Sequence, residues 1–513
     1  MKILLAGPGT GKTEKIKSII RSDYLNANKI IVLSFTNATI NDLKDSFKDF
    51  NNVRCYTLHS YALKINHLPT IHVLDDFFEI PIIQQLAEKL QIDCDAFCGL
   101  LQCITFSKMI EKCVDFINAN PAYASDNIGQ LDLLIVDEFQ DFNPFERNLV
   151  YLLSKYSDET IILGDDDQSI YDFKDADPDG IIALYNDTNV TKLKHENICY
   201  RCPDVIVDYC SNLIGRNQHR IDKEWKKSNK DGSVVFEQKL TQEETHNYIC
   251  QEIKKILQES NTILLLSPVS YYIAELKNKF DGEGISYVDF WTARISADLK
   301  EKLWWIKALY GNHKIIFLLL LAKGLKLFSK KSFMNILKKA FMSDFDEQKL
   351  IGNIINYYPK PFSDYLSEPI SISDFWDKHQ DFIILREHID ENNLTESIKN
   401  LERVLNPVLS FAQDSVNIMS IHKSKGLQAD YVFIIGLSEG VIPNEIRGMD
   451  TIEAQRRLLF VGMTRARKKL YMISTVEWDG KYVHKVDKNQ FKYKFLKKKY
   501  HSKASRFIEE IMS

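Results

Sequence analysis

A glycine-rich segment near the start of the sequence has the composition of a phosphate-binding loop. Its residues are Gly7, Pro8, Gly9, Thr10, Gly11, Lys12 and Thr13, between an apolar run and a helical pattern. Glycines let backbone N–H groups wrap around phosphates, and the N-terminus of the following helix adds the positive end of its dipole. We therefore expect Lys12 to reach the β- and γ-phosphates of a nucleoside triphosphate, and the Thr13 hydroxyl to ligate Mg²⁺.

Two carboxylates, Asp137 and Glu138, directly follow the apolar run Leu133 to Val136. Ligands of open α/β sheets bind at the carboxyl ends of the strands, so both side chains are expected near the phosphates. Asp137 is the candidate second Mg²⁺ ligand, and Glu138 is the candidate general base for the attacking water. Together with the phosphate loop, this pair predicts a site that hydrolyses nucleoside triphosphates.

The elements that hold these residues are indicated by the apolar pattern. Continuous apolar runs alternate with helical patterns in residues 1–60 and 130–200, and a second set of runs lies between residues 263 and 474. Runs of this kind indicate parallel strands covered on both faces, so the fold class is α/β with two parallel-sheet cores. The stretches between them have helical periodicity and are interpreted as one mainly helical insertion in each core.

Besides the phosphate loop, seven segments in chain order resemble the motifs of the UvrD/Rep family of superfamily 1 helicases. They are Ser34-Phe35-Thr36-Asn37, Thr57-Leu58-His59-Ser60-Tyr61, Asp137-Glu138-Phe139-Gln140-Asp141, Gly164 to Tyr171, Tyr200-Arg201-Cys202-Pro203, Ile421 to Leu427, and Arg456 to Ala466. The resemblance covers residues 1 to about 475 and implies two RecA-like P-loop cores. The implied division is 1–61 and 129–198 for the first core, 199–294 and 411–478 for the second, 62–128 and 295–410 for the insertions, and 479–513 for a basic tail.

The resemblance also assigns roles around the nucleotide. It implies that Arg201 and Arg465 reach the γ-phosphate from the second core and that Gln168 senses it from the first. Arginine suits this role because its planar fork bonds two phosphate oxygens at once. Tyr200 is expected to stack on the base, and Gln428 to accept a hydrogen bond from the ribose.

A second set of residues matches, or lies near, positions where the family contacts single-stranded DNA. These residues are Phe35, Thr36, Asn37, His59, Tyr61, Tyr171 and Phe173. Aromatic faces stack on any base, at about 1 to 3 kcal/mol each, so they bind a strand without sequence specificity. For Tyr61 an ordinary place in the core is a strong alternative, and Phe173 is the first candidate.

Several positions depart from the family pattern. Glu14 stands where an arginine commonly stacks on the base, and only six residues precede Gly7, so we expect the adenine-reading glutamine motif to be absent. Lys174 and Asp175 replace the common Arg-Gly pair, and Gln428 replaces a glutamate. ATP and Mg²⁺ are the expected substrate and cofactor, with weak selection for adenine.

Charge and cysteine content limit the remaining possibilities. The formal net charge of −4 argues against general polybasic binding, and nine scattered cysteines fit a reducing cytoplasm. An iron–sulfur cluster at Cys94, Cys98, Cys103 and Cys113 is conceivable, but no CxxC pair anchors it there. The Lys-rich segment 481–503 is either a solvated, frayed terminus or a tail that contacts nucleic acid.

The sequence thus predicts an ATP-dependent, 3′ to 5′ translocase and helicase acting on single-stranded and tailed duplex DNA. Two alternatives stay open: a translocase that does not unwind, and a nucleic-acid-stimulated NTPase subunit of a larger complex. Compact members of this type include the helicase subunits of Gabija-type phage-defence systems, which act beside a nuclease. A nuclease partner or self-association is therefore a further expectation. Binding to a membrane is not expected.

Overall fold

The computed structural model describes the 513-residue chain except for a set of short segments. The segments outside the description are residues 36, 67–70, 76–77, 292–296, 344, 387, 395–396, 399–400, 402–411, 446–450, 480–489 and 495–498. The remaining residues form two compact units. The first comprises residues 1–61, 114–292 and 409–513, and the second comprises residues 62–113 and 293–408.

The strands are numbered in chain order. They are β1 (Lys2–Leu5), β2 (Ile30–Ser34), β3 (Val53–Thr57), β4 (His72–Val73), β5 (Cys103–Ile104), β6 (Leu131–Val136), β7 (Ser157–Gly164), β8 (Thr191–Lys192), β9 (Ser233–Lys239), β10 (Ile263–Ser267), β11 (Tyr287–Asp289), β12 (Val416–Ser420), β13 (Ala429–Ile435), β14 (Ala466–Thr475), β15 (Glu477–Trp478), β16 (Lys492–Lys494) and β17 (Lys499–His501).

The first unit contains two six-stranded sheets in which every strand pair is parallel. Their strand orders are β3-β2-β6-β7-β1-β8 and β11-β12-β10-β13-β14-β9. The central strands are buried along nearly their whole length because helices cover both faces. The predicted fold class, α/β with two parallel-sheet cores, is confirmed.

The α-helices are numbered in the same way. They are α1 (Lys12–Asp23), α2 (Asn37–Ser46), α3 (Leu58–Ile65), α4 (Glu79–Leu90), α5 (Cys94–Leu100), α6 (Phe106–Ala119), α7 (Pro121–Ile128), α8 (Pro144–Ser154), α9 (Asp179–Asn186), α10 (Asp204–Ile214), α11 (Gln242–Ile256), α12 (Tyr271–Glu283), α13 (Ala297–Tyr310), α14 (Lys314–Gly324), α15 (Lys331–Phe341), α16 (Glu347–Ile354), α17 (Phe362–Ser367), α18 (Ile372–Lys378), α19 (Ile383–Arg386), α20 (Ile452–Met463) and α21 (Arg506–Met512). Short 3₁₀ turns lie at Phe139–Asp141, Asp166–Gln168, Asp172–Lys174, Leu327–Ser329, Ile355–Tyr357, Gln380–Phe382, Glu391–Asn393 and His422–Ser424.

The second unit combines residues 62–113 of the earlier predicted insertion with residues 293–408, which cover most of the later one, whereas residues 114–128 belong to the first unit. Leu86 and Phe97 from the earlier insertion share one apolar core with Leu318, Phe333 and other residues of the later one. Ile315 to Ala322, the longest apolar stretch, is buried in this core within α14. The pairing of β4 with β5 adds a short parallel strand pair that the helical pattern did not predict. Two stretches far apart in sequence therefore fold as one helical unit.

The C-terminal segment is not a frayed terminus in its described parts. β15, β17 and β16 form an antiparallel sheet, and α21 packs beside α10. Phe507 and Ile511 of α21 are fully buried, and Glu510 forms a two-pronged ion pair with Arg456 at 2.7 and 2.9 Å. Apolar residues at helical spacing thus anchor the end of the chain in the second core. The predicted contact of residues 481–503 with nucleic acid falls largely outside the described residues.

No helix in the described ranges combines the length and the apolar composition needed to cross a bilayer.

Candidate active site

The strand order of the first sheet sets the arrangement of its functional loops. Because all six strands are parallel, the loops after β3, β2, β6, β7 and β1 leave the same edge. The phosphate loop follows β1, the Asp165–Gln168 segment follows β7, and the carboxylate pair follows β6. Phe35 follows β2, and His59 follows β3. One edge therefore carries phosphate chemistry at one end and the predicted strand-binding residues at the other.

The phosphate loop has the backbone conformation that its glycines allow. Gly9 and Gly11 have φ values of 73° and 81°, in the left-handed region, and Gly11 directly precedes α1. The Thr10 hydroxyl donates a hydrogen bond to the Gly7 carbonyl at 2.8 Å, which fixes the turn. Lys12 and Thr13 occupy the first turn of α1, so the backbone N–H groups there point toward the space above the loop.

Lys12 and Glu138 form a direct ion pair in the structure. The Lys12 ammonium lies 2.6 Å from one Glu138 carboxylate oxygen, and the Gln140 amide donates to the other at 2.6 Å. Burial opposes the charge of Lys12, but the Glu138 and Asp137 carboxylates outweigh it and raise the pKa of the amine. Burial also disfavours the charged form of Glu138, but Lys12 and Lys425 prevail and lower the pKa of this carboxyl to about 2.

The backbone at Glu138 is held in a sparsely populated conformation. Its φ of 55° is unusual for a residue with a side chain, and the Asp137 carboxylate accepts the Glu138 N–H at 3.0 Å. Positive φ values at non-glycine residues cluster at functional sites, where the surrounding fold maintains them. This turn directs the Glu138 side chain toward Lys12.

Asp137 is 4% exposed, and burial together with the Glu138 charge raises the pKa of its carboxyl to about 6. Burial and the neighbouring Glu138 carboxylate both disfavour the charged form of Asp137. A nearby divalent cation would offset this, and the carboxylate of Asp137 with the Thr13 hydroxyl supplies oxygen ligands of the kind that Mg²⁺ prefers, so the residues present fit Mg²⁺.

The candidate γ-phosphate sensor is held by a buried network. The Gln168 amide donates to the Asp165 carboxylate at 2.8 Å. The Asp165 N–H donates to the Gln140 side-chain oxygen at 3.0 Å, and Gln140 in turn contacts Glu138. Gln168 and Glu138 are therefore joined through Asp165 and Gln140, so a change at one reaches the other.

The second core approaches the phosphate loop through the segment before α10. The Tyr200 N–H donates to the Gly9 carbonyl at 2.9 Å, and a Cβ at Gly9 would lie 2.5 Å from the Arg201 Cβ. Glycine is required at position 9 for this contact as well as for its φ. The Arg201 Nε is buried and has no hydrogen-bond partner among the described residues, which suits a donor for phosphate oxygen. The Tyr200 side chain is 63% exposed and is free to stack on a base.

Two residues beside the loop were not singled out from the sequence. The Asn197 side chain accepts the Gly7 N–H at 3.1 Å, and the Trp225 indole donates to the Pro8 carbonyl at 3.2 Å. A Cβ at Gly7 would lie 2.9 Å from the Trp225 ring, so the indole covers the start of the loop. Neither residue belongs to a pattern with a known spacing from the phosphate loop.

Lys425 is a site residue that was not predicted from the sequence. It lies in the second core, yet its ammonium contacts both Asp141 carboxylate oxygens at 2.7 and 2.6 Å and the Gln168 carbonyl at 2.6 Å. Its side chain is 8% exposed, and that of Asp141 is 1% exposed. The lysine stands in the segment Ile421 to Leu427 that carries the family resemblance, which was the available signal.

Arg465 is held by hydrogen bonds within its own core in this structure. It is 1% exposed, and its guanidinium donates to the Val461 and Leu427 carbonyls and to the Thr464 hydroxyl. Burial, reinforced by Arg201, lowers its pKa, and Glu138 acts in the opposite direction. In this conformation Arg465 orders its own core, and its contact with phosphate stays a prediction. Gln428 is exposed directly before β13, so its contact with the ribose is also untested.

Aromatic side chains lie along the other end of the sheet edge. The half-buried rings of Phe35 and Tyr171 are 5.2 Å apart, and the Lys174 ammonium lies 5.7 Å from the Phe35 ring centre. Burial and the Lys174 charge lower the pKa of His59 to about 4, so its imidazole is neutral beside Glu146, 3.3 Å away.

For Tyr61 the structure favours the core alternative over a contact with the strand. It is only 3% exposed, and its ring lies 5.3 Å from the ring of Tyr56, so no face is open to a base. The core interpretation is the better one here. Thr36 lies outside the described residues, as do the side chains of Asn37 and Phe173.

Comparisons with known proteins agree with this arrangement. An AAA domain model matches residues 1–174, and a model of the UvrD-like helicase C-terminal domain matches residues 371–477. The chain is 24% identical to "ATP-dependent DNA helicase Rep" of Buchnera aphidicola subsp. Schizaphis graminum, with 91% of this chain and 90% of that protein covered. It is 23% identical to "DNA helicase II" of Rickettsia typhi over 99% of this chain and 93% of that protein. A Rep helicase of Buchnera aphidicola subsp. Acyrthosiphon pisum is 26% identical, with 67% of this chain and 62% of that protein covered.

Both domain models and the helicase-named relatives support membership of the UvrD/Rep family of superfamily 1 helicases. Most of its family motifs lie in the first unit, on the carboxyl edge of the first sheet and in the facing loops of the second core. Its departures from the family concern the base of the nucleotide more than the phosphates.

The site predicts weak discrimination between ATP and GTP for a UvrD/Rep protein. Glu14, at the position of the usual stacking arginine, is 71% exposed and pairs with Lys17 at 2.7 Å. Tyr200 then supplies the main base contact, and stacking tolerates either purine. We expect kcat/KM for the two nucleotides to differ by well under 100-fold, which corresponds to about 2.7 kcal/mol. Tyr200→Ala should raise KM for both by a similar factor, and an ATP preference of 100-fold or more would contradict this prediction.

Proposed function

We propose that the chain is an ATP-dependent DNA helicase that moves 3′ to 5′ along single-stranded DNA and separates tailed duplexes. The observation that carries this proposal is Lys425. It ties the second core to Asp141 and to the backbone of Gln168, beside the residues that face the γ-phosphate. A change in phosphate contacts therefore acts on the junction between the two cores. The names of the three relatives above, each a DNA helicase, support the same function.

The phosphate site supports ATP hydrolysis through groups that are already in place. Lys12 and Arg201 would neutralise the transferred phosphate, because Lys12 lies in the phosphate loop and Arg201 keeps a free buried donor beside it. Thr13 and Asp137 would hold Mg²⁺, which supplies further charge neutralisation when bound. Glu138 would orient and deprotonate the attacking water.

The ion pair of Lys12 with Glu138 provides a reason why Glu138 would act as a base only after nucleotide binds. While Lys12 contacts the carboxylate, the pKa of Glu138 is about 2, which makes it a weak base. Phosphate oxygens would draw Lys12 away and add negative charge nearby, and both changes raise the pKa of this carboxyl. The base thus becomes effective only when nucleotide is present.

Contact with the strand would use the aromatic end of the sheet edge. Phe35 and Tyr171 form an adjacent ring pair, and Tyr171 also lies 5.4 Å from the Lys425 ammonium. The same lysine therefore contacts the nucleotide side and the strand side of the edge. This proximity favours a motor over a switch subunit whose turnover ignores nucleic acid.

The alternatives predict different measurements. ATP hydrolysis with and without single-stranded DNA, together with strand displacement on 3′-tailed and 5′-tailed duplexes, separates them. The proposal expects stimulation by DNA and unwinding of the 3′-tailed duplex only, with Glu138→Gln as the inactive control. Stimulation without unwinding indicates a translocase, and hydrolysis that no nucleic acid changes indicates the switch subunit. The expected nuclease partner and self-association remain predictions that a sedimentation measurement can test.

Phe173→Ala is expected to uncouple hydrolysis from movement. Phe173 lies in the 3₁₀ turn Asp172–Lys174, shortly after Gln168, so one short segment joins the strand to the phosphate sensor. Basal hydrolysis should stay near wild type, while translocation on single strands is lost. Phe50→Ala is the matched control, because Phe50 packs on Phe47 before β3 at the amino edge of the sheet. Wild-type translocation by Phe173→Ala would show that the ring belongs to the core.

A further inference from the structure

Three consecutive aspartates, Asp165, Asp166 and Asp167, follow β7 and are almost fully buried. Their exposures are 0, 1 and 2%, and their carboxylate oxygens lie within 4.8 Å of one another. Like charges this close repel strongly where little water screens them. The cluster therefore needs positive charge supplied from elsewhere in the fold.

That charge comes from the segment 217–225, between α10 and β9. The Lys223 ammonium lies 2.9, 2.5 and 2.7 Å from the carboxylates of Asp165, Asp166 and Asp167 respectively. The Arg220 guanidinium bonds both oxygens of Asp167 at 3.0 and 2.7 Å. Because these side chains already occupy the centre of the cluster, it is not a vacant metal site.

Three carboxylates face two cations in this cluster, so the cations do not fully compensate the negative charge. Burial opposes the charged form of Lys223, but the three carboxylates outweigh it and raise the pKa of the amine. Burial raises the pKa of Asp166 despite Lys223, whereas Lys223 and Arg220 overcome burial and lower that of Asp167. Removal of one cation would increase the uncompensated negative charge among these buried carboxylates.

The cluster reaches the hydrolytic groups through Asp165. One oxygen of this carboxylate faces Lys223, and the other accepts the Gln168 amide at 2.8 Å. The Asp165 N–H holds Gln140, whose amide contacts Glu138. The Lys223 ammonium is therefore linked through Asp165 to the candidate γ-phosphate sensor Gln168 and to the candidate general base Glu138, although it contacts neither of them directly.

The segment 217–225 is itself fixed at both ends. Asn217 donates to the Glu453 carbonyl at 3.0 Å, and the His219 carbonyl accepts from Arg457, so α20 holds its start. At its end Trp225 donates to the Pro8 carbonyl. One segment therefore contacts the phosphate loop, the sensor segment and the helix that precedes Arg465.

We propose that Lys223 is a positioning residue for ATP hydrolysis, which holds the Asp165 carboxylate in the orientation that lets Gln168 and Glu138 adopt their working geometry. This inference rests on the proposed ATPase function. It assigns the segment 217–225 a role in the chemical step, beyond linking α10 to β9.

Lys223→Met is expected to lower kcat by about 10-fold or more while KM for ATP changes little, because the residue acts on sensor and base and not on nucleotide binding. The loss should be largest at alkaline pH. With the ammonium gone, the pKa of Asp166 rises further, and a proton taken up there at lower pH replaces the missing positive charge. The ratio of variant to wild-type kcat should therefore increase as the pH falls from 8.5 to 6.

A second variant separates charge balance from general damage. Lys223→Met with Asp166→Asn removes one negative charge at the carboxylate that contacts neither Gln168 nor Gln140, so it should recover most of kcat at pH 8. Lys223→Arg should keep activity with a flat pH ratio. Lys227→Met is the matched control, since Lys227 pairs with Asp208 at the surface at 3.0 Å, and its kcat should equal that of wild type.

The outcomes are distinguishable. If wild type fails to hydrolyse ATP, the proposed function is wrong. If wild type is active but Lys223→Met keeps its kcat, or loses it equally at every pH without recovery in the double variant, the positioning role is wrong. Should Lys223→Met not fold, as judged by thermal unfolding, Asp165→Asn in the presence of Lys223 must still lower kcat, and a wild-type rate there overturns the inference.

Discussion

Glu138→Gln is expected to reduce ATP turnover by about 100-fold or more, the scale of a lost general base, while ATP still binds. The amide is nearly isosteric, and its oxygen can still accept from Lys12, which contacts one carboxylate oxygen at 2.6 Å. It cannot take a proton from water. The loss should therefore appear in kcat and in single-turnover hydrolysis, with KM changed far less.

Lys12→Ala provides the contrast for this prediction. It should also stop turnover, but by weakening binding of the triphosphate, because the ammonium is the cation of the phosphate loop. Equilibrium binding of a fluorescent ATP analogue to both variants separates the two losses. Near-normal hydrolysis by Glu138→Gln would contradict the assignment of the base.

Lys425→Met is expected to abolish the stimulation of hydrolysis by single-stranded DNA and to destabilise the first unit. Breaking a buried ion pair by removing one partner costs about 3 to 5 kcal/mol, because the remaining charge stays desolvated. Here Asp141 is left, and the Gln168 carbonyl loses its donor as well. Stability is measured by chemical unfolding, and coupling by the ratio of DNA-stimulated to basal kcat.

Two further variants separate the stability effect from the coupling effect. Lys425→Met with Asp141→Leu removes the stranded carboxylate, so stability should recover while DNA stimulation stays lost. Lys423→Met is the matched control, since Lys423 donates to the Phe290 carbonyl within its own core at 2.6 Å. DNA stimulation retained by Lys425→Met would show that this pair does not join the strand to the chemistry.

Residues close together in sequence were the predictable part of the site. The phosphate loop is a local structure, since Gly9 and Gly11 adopt left-handed φ values and α1 starts directly after them. The Asp137-Glu138 pair follows a buried strand, as its apolar run indicated. In each case short-range chemistry specifies the geometry, so spacing along the chain is sufficient evidence.

Residues that act across long distances in sequence were not predictable in the same way. Lys425 contacts Asp141, and Lys223 contacts Asp165, because strands far apart in the chain are neighbours in space. A lysine in an exposed charge pattern looks the same in sequence as one that neutralises a buried carboxylate. The two interpretations of Tyr61 could not be separated for a related reason, since a ring at a strand-binding position can equally be packed in a core.

By itself the sequence determined the family, the two parallel sheets and the chemistry of the phosphate loop. Strand periodicity and glycine conformation are local properties. They can therefore be recognised in the sequence even though the relatives that match over nine-tenths of the chain are only 23 to 24% identical to it. Only the tertiary structure decided that β7 lies between β6 and β1, which brings three loops to one site. It also merged the two insertions into one unit and anchored α21 in the second core. These features depend on which buried surfaces fit together, and apolar burial is non-directional, so no local pattern specifies its partner.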